Sequence, residues 1–263
     1  MNYTFLKMFC GDNAHTKSIG KLSIIAAMFA AAVSTEAAAD QAGDAMSEKM
    51  MDAFGHREVW ATRKIDHITA IVEPDNGEAF LIDFWTRWDK PQTASWVRTR
   101  TREQLRVWNG DQGKGWTATR EYAGAEANVK EWSEERIAQE ELSYKTQFER
   151  LVHRIAKREP DISFSVASDV PHQGWLEIAS NGEPIARISL RDDGSPEELM
   201  INTGESFDQR IRFDALVSFG DHQQPRSGYA GAKFTTYRAE LMPNATGVHF
   251  GPPKNLMNLD PTR

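Results

Sequence analysis

Between Glu78 and Tyr122 apolar and polar residues alternate in a way that predicts consecutive β-strands. Phe80, Ile82, Phe84 and Trp88 share one parity while Asp83 and Arg87 take the other, the period-2 pattern of a half-buried strand. The stretch closes on Trp108-Asn109-Gly110-Asp111-Gln112-Gly113-Lys114-Gly115-Trp116, whose glycines predict a hairpin. They do not make a phosphate loop, because no Lys-Ser/Thr pair and no following helix completes one. Upstream, Met46, Met50, Met51 and Phe54 recur at helical spacing, so Gly43 to Phe54 reads as a short amphipathic helix packed on a sheet. Val59 to Val72 turns towards a strand, and Asp75-Asn76-Gly77 supplies the turn that follows.

From Glu131 to Arg158 the period changes. Ile137, Tyr144, Phe148, Leu151, Val152 and Ile155 recur largely at three and four, which predicts one long amphipathic helix stopped by Pro160 and lying over the sheet. Strands are then predicted at Ile162 to Ala167, Trp175 to Ser180, Ile185 to Leu190, Glu198 to Asn202, Arg210 to Phe219 and Ala232 to Leu241. Asn181-Gly182, Asp193-Gly194 and Thr203-Gly204-Glu205 are their hairpin signals. Most of these strands should pair with their sequence neighbours, giving an α+β chain of mainly antiparallel β type.

The N-terminus changes the picture. Lys17 and Lys21 precede an apolar run from Leu22 to Val33, and Ala37-Ala38-Ala39 before Asp40 has the form of a signal-peptidase site. The run is short for a membrane span, so residues 1–39 read as a cleaved signal and the product as not membrane-spanning. Residues 40–243 would form one domain and 244–263 a tail ordered by docking on it. Cys10 lies in the discarded segment, which removes disulfides, thiolate metal sites and a cysteine nucleophile. The formal charge of −7 disfavours general nucleic-acid binding.

Catalytic signatures are missing. No histidine pair has metal-ligand spacing, and no Gly-x-Ser-x-Gly elbow occurs. Asp66-His67 and Asp221-His222 are sequence neighbours whose side chains would leave a strand on opposite faces, which makes poor dyads. Asp192-Asp193 belongs to turn chemistry, and Asn244-Ala245-Thr246 is a glycosylation acceptor only in a cell that glycosylates there. The expectation is a non-enzyme without cofactor or metal. Arg98, Arg100 and Arg102 alternate with Val97, Thr99 and Thr101, so their guanidinium groups are expected on one strand face, solvated or docked on an acidic partner. Trp85, Trp88, Trp96, Trp108 and Trp116 crowd one stretch, and their N–H groups suit pocket mouths and interfaces.

The order of a signal, a short helix, strands ending in the Trp108 to Trp116 hairpin, a helix, and a strand meander through Asn181-Gly182 and Asp193-Gly194 resembles the lipoprotein-carrier superfamily of LolA and LolB. Phe213 to Phe219, the glycines Gly228 and Gly231, and Phe234 to Leu241 look like its last hairpin. The resemblance implies a strongly curved, incomplete β-barrel covered by helices on its open side, with a hydrophobic cavity that receives acyl chains in the periplasm. Phe80, Ile82, Phe84, Trp88, Ile211, Phe213, Val217 and Phe219 would line that cavity, with Trp116 among the ligand-facing aromatics. The expected partner is a lipid, an acyl chain or a lipoprotein. The alternative is a structural or regulatory module that binds another envelope protein and no lipid.

Overall fold

Strand β1 (Ile65–Pro74) pairs on one side with β2 (Phe80–Arg87) and on the other with β15 (Ala232–Met242), so the two halves of the sequence meet along it. The computed structural model describes residues 32–122, 125–170, 174–204, 206–244, 247–253 and 255–262. Beyond β2 follow β3 (Gln92–Arg98), β4 (Arg102–Asn109), β5 (Lys114–Glu121) and β6 (Asn128–Glu131). Beyond β15 follow β14 (Ser227–Tyr229), β11 (Phe207–Phe213), β10 (Pro196–Asn202), β9 (Glu183–Leu190), β8 (Trp175–Ser180) and β7 (Ile162–Val166). These make one curved, antiparallel, 13-stranded sheet that does not close, with β6 and β7 at its two ends. A separate hairpin pairs β12 (Leu216–Phe219) with β13 (His222–Pro225).

Alternation along the strands gives the sheet two apolar faces. On the inner face Ile68, Ala70, Val72, Phe80, Ile82, Phe84, Leu199, Ile211 and Phe213 join one buried cluster. Helix α1 (Ala32–Ala53) contributes Met50 and Met51 to it, α2 (Arg57–Thr62) contributes Trp60, and α4 (Phe148–Lys157) contributes Phe148, Leu151, Val152 and Ile155. On the outer face Ile65, Trp85, Ala94, Leu105, Val107 and Trp116 are covered by Phe250 and Leu259 of the C-terminal tail. The tail docks by hydrogen bonds as well: Asn109 Nδ2 donates to the Phe250 carbonyl at 3.1 Å and the Ala127 N–H to that of Leu256 at 2.9 Å.

Several expectations are met. The sheet is antiparallel and unclosed with helices on its inner face, and β8 spans Trp175–Ser180 as predicted. Asn181 and Gly182 both adopt positive φ (52° and 81°), which the tight β8–β9 turn requires and asparagine and glycine tolerate best. The methionines of α1 are core residues.

Other expectations are corrected. The helix predicted from Glu131 to Arg158 is two helices, α3 (Glu134–Thr146) and α4, separated at Gln147, whose ψ of 134° is extended, and Glu131 belongs to β6. Ser133 caps α3 by accepting the Arg136 N–H. The inward-pointing helix begins further upstream, at Ala32 rather than Gly43, and Val59 to Thr62 is helical, so the strand starts at Ile65. The strand predicted from Arg210 to Phe219 breaks at Asp214-Ala215, placing Val217 and Phe219 in the small hairpin. Arg98, Arg100 and Arg102 do not share a strand face: Arg98 ends β3, Arg100 sits in the turn and Arg102 begins β4. Arg98 stacks 4.0 Å from the Trp96 ring centroid and pairs with buried Asp83, so it is committed within the fold. The Thr203-Gly204-Glu205 turn, the Asn244 triplet, and the segment read as a signal lie partly or wholly outside the described residues.

Candidate functional site

The sheet's two ends are bridged by α3 and α4, and a cleft of about 710 Å³ opens there. One wall comes from the β4–β5 hairpin and the turn before it (Trp108, Gly110, Pro91), the other from the β8–β9 region (Ser180, Asn181, Ile185). Ile137 and Tyr144 of α3 and Arg150 and Arg154 of α4 border it. Tyr144 is fixed by donating its hydroxyl to the carbonyls of Arg87 (2.9 Å) and Lys90 (3.2 Å), and its ring lies 5.4 Å from that of Trp108. Burial raises its phenol pKa to about 12, so it is a neutral donor.

The cleft's cations are already matched. Arg150 donates to both oxygens of Glu159 at 3.0 and 3.1 Å, and Arg154 donates to Glu159 at 2.8 Å and to Asp161 at 2.5 Å. Against the burial that would raise them, Arg150 and Arg154 hold Glu159, and the Ser180 hydroxyl with Arg154 holds Asp161, below the usual carboxylate pKa. Arg150 Nη1 also donates to Nδ1 of His153 at 2.7 Å. The imidazole therefore carries its proton on Nε2, and burial with the adjoining guanidinium depresses its pKa to about 3. Its ring packs 4.5 Å from that of Trp88.

The two covering helices meet the sheet differently. The buried side of α3 is polar (Glu140, Ser143, Tyr144, Thr146), and Glu140 accepts from Thr93 at 3.0 Å and from Arg136 at 2.8 Å. Beneath it Arg106 has its pKa lowered to about 10 by burial and by Arg136. The buried side of α4 is apolar, with Phe148 4.5 Å from the Phe213 ring and 5.7 Å from that of Phe54. At the junction Thr86 donates to Gln147 at 2.8 Å, and Gln147 donates to Glu149 at 3.3 Å.

The predicted ligand-facing residues do not form one surface. Phe80, Ile82, Phe84, Trp88, Ile211 and Phe213 share the inner cluster, where each is at most 6 % exposed. They are packed side chain to side chain beneath the covering helices. Phe219 is half-buried against this cluster and Val217 is half-buried in the same hairpin. Trp116 lies on the outer face under the tail, because its parity on β5 matches Ala118 rather than the inward positions, and it is removed from the inner set. Sequence reasoning missed Tyr144, Arg150, Arg154 and Glu159. It weighed Asp66 only as half of a poor dyad with His67, although Asp66 shares parity with Ile68, Ala70 and Val72 and is a lone carboxylate on an apolar face. No group of three or more His, Cys, Asp or Glu side chains suited to a metal ion occurs among the described residues. None of the described helices is long and apolar enough to cross a membrane.

Solved structures similar to this chain include the following two. One is a LolA superfamily protein from Nitrosomonas europaea, with a TM-score of 0.43 and 9% identity over 76% of this chain and 93% of that one. The other is a domain described as that of an outer membrane lipoprotein-sorting protein from Vibrio parahaemolyticus, with a TM-score of 0.37 and 10% identity over 80% and 95%. The first carries the superfamily name that the order of elements in the sequence resembles. No family model matches the chain, and no curated protein does.

Proposed function

We propose that this is a periplasmic, non-enzymatic binding protein that holds a lipid, an acyl chain or the acyl part of a lipoprotein between its sheet and its covering helices. The observation that carries the reading is the cleft at the open side of the sheet, bordered by α3 and α4, two of the helices that cover the inner face. Its volume of about 710 Å³ falls within the roughly 300–1,000 Å³ of small-molecule sites. Trp108, Ile137, Tyr144 and Ile185 supply its apolar wall, and its cations are matched, Arg150 and Arg154 by Glu159 and Asp161 and Lys145 by Glu141. Beyond α4 lies an apolar layer that becomes available if the helix lifts. In the cleft Ser180 donates its hydroxyl to Asp161 at 2.8 Å, but Ser180 and Arg154 hold that carboxylate below its usual pKa, which makes it a weak base and supports binding rather than turnover.

Native mass spectrometry of protein purified without detergent, followed by organic extraction and challenge with a fluorescent fatty acid, tests this. A stoichiometric lipid adduct or saturable uptake is expected. A bare polypeptide mass with no uptake overturns the reading. That outcome favours a second one, an interaction module without lipid, for which the tight packing of Phe80, Ile82, Phe84 and Phe213 is the motivating observation.

A further inference from the structure

The lining of the cleft at α3 and α4 divides by chemistry. Trp108, Ile137, Tyr144 and Ile185 offer apolar surface, and the remainder is strongly polar. Four carboxylates, those of Glu141, Glu159, Asp161 and Glu183, line it against the three cations Lys145, Arg150 and Arg154. Glu159 and Asp161 hold their charge at neutral pH, since both stand below the usual carboxylate pKa. On formal charge the cleft is therefore slightly negative.

The directions of the hydrogen bonds sharpen this. Arg150 turns Nη1 and Nη2 onto Glu159 and Nη1 also onto His153 Nδ1. Arg154 turns Nε onto Glu159 and Nη2 onto Asp161 and Ser180. Both guanidinium groups are thus engaged by the fold, and their side chains are only 12 % and 7 % exposed. Asp161 is 34 % exposed and receives Arg154 and Ser180 on Oδ2, so Oδ1 keeps a lone pair for a further donor. Glu183, exposed at the start of β9, has no ion-pair partner among the described residues. Asn181 is exposed in the turn before it. What a ligand meets at this end is a surface richer in acceptors than in free donors.

Such a surface discriminates between head groups. A carboxylate or phosphate placed there is desolvated against an excess of negative charge, with the guanidinium groups already taken. An ammonium meets the three cations in turn. A hydroxyl escapes both penalties and donates to the carboxylate and amide oxygens. We propose that the cleft prefers lipids with a neutral, hydroxyl-bearing head, as in a monoacylglycerol, over the fatty-acid anion of the same chain. The acyl chain lies against Trp108, Ile137 and Ile185, and the hydroxyls face Asp161, Asn181 and Glu183. A fatty acid still enters on the strength of its chain, but more weakly. This rests on the lipid-binding reading and adds to it the chemistry of the head.

Displacement of a bound fluorescent fatty acid from the intact protein at about pH 8, where a free carboxylic acid is ionised, tests the preference. The competitors are a monoacylglycerol, the corresponding methyl ester and the corresponding fatty acid, each below its aggregation concentration. The methyl ester controls for apolarity, because it is the most apolar of the three and donates no hydrogen bond. The monoacylglycerol is expected to act at roughly tenfold lower concentration than either of the others. Glu183→Lys, at an exposed position, is expected to narrow the gap between monoacylglycerol and fatty acid roughly threefold by supplying a free cation. Equal or stronger displacement by the methyl ester or the fatty acid overturns the proposal and leaves the binding function standing. So does a gap that Glu183→Lys leaves unchanged. A protein that takes up neither the fluorescent probe nor any of the three lipids overturns the binding function itself, and the proposal with it.

Discussion

Arg57, at the start of α2, donates from one guanidinium nitrogen to the carbonyl oxygens of Ile155 (2.9 Å) and Ala156 (3.1 Å) at the far end of α4. A cation is thereby placed where a helix ends in unsatisfied carbonyls and the negative pole of its dipole. A second guanidinium nitrogen holds Glu48 of α1 at 2.6 Å, so one side chain ties three helices together. Arg57→Ala is expected to lower stability by about 1–3 kcal/mol, as removal of charged hydrogen bonds does. Urea denaturation measures this, and Arg57→Lys should recover less than half, since an ammonium cannot reproduce the two-pronged contact.

His153 gives the fold a dependence on acid. Its folded-state pKa of about 3 lies below the ordinary histidine value, so the folded protein resists a proton that the unfolded chain accepts. The His153 contribution to stability should be complete above about pH 6.5 and decline as the pH falls towards about 3. His153→Gln is expected to flatten that decline in thermal melts across the range. A His153→Gln protein with an unchanged acid limb would assign the effect elsewhere.

Leu151 is fully buried in the middle of α4. Truncation to alanine leaves a cavity between α4 and the sheet, with an expected cost of about 2–5 kcal/mol. If α4 moves aside for a ligand, the same change should weaken the closed form preferentially and speed fatty-acid uptake in stopped-flow measurements.

Gly43 lets α1 cross the edge strand β7 at close range. A Cβ at this position would stand 2.6 Å from the Phe164 carbonyl and from the Ser165 Cα, which are backbone atoms and cannot swing away. Gly43→Val should detach that part of α1 at a cost of about 1–3 kcal/mol and uncover the edge. Limited proteolysis, with cleavage appearing between residues 41 and 50 in the variant alone, checks it.

Phe250 and Leu259 carry the tail's attachment to the outer face. Phe250→Ala is expected to loosen the tail and hydrate Trp85 and Trp116, read as a red shift in tryptophan emission with little change in α4 hydrogen exchange. A matching loss at α4 would mean that the two faces are not independent.

Strand identity was legible wherever a pattern of period two ran unbroken between turn residues, as from Phe80 to Trp88 and from Trp175 to Ser180. It was obscured where side chains on both faces are apolar or where a polar side chain is buried. The single helix predicted across Gln147 is an example: apolar spacing continues through it, while the break depends on Thr86, some sixty positions upstream, whose hydroxyl binds the Gln147 side chain. The polar underside of α3 was hidden for the same reason, since Glu140 looks like a surface residue until Thr93 and Arg136 are seen around it. Likewise the arginine row was a correct alternation with a wrong backbone, because Thr99 to Thr101 forms a turn closed by the Thr99 N–H donating to the Arg102 carbonyl. Trp116 differed by face alone: its aromatic alternation was legible, whereas the tail that covers it brings only scattered apolar residues, Val248, Phe250, Leu256 and Leu259, with no period of their own. The cleft could not be read at all, as it joins hairpins from opposite ends of the sheet.

The union of β1 with β15 has a kinetic consequence. Ile65 finds its partner at Met242 and Pro74 at Ala232, so the central ladder of the sheet is a contact between the beginning and the end of the chain. Local hairpins on either side can form as the chain emerges, but the two half-sheets stay separate, each with an open edge, until the last strand is available. Long loop closure of this kind slows folding into the millisecond-to-second range typical of non-local β proteins. During synthesis the growing chain is thus prevented from completing its central ladder until β15 has emerged.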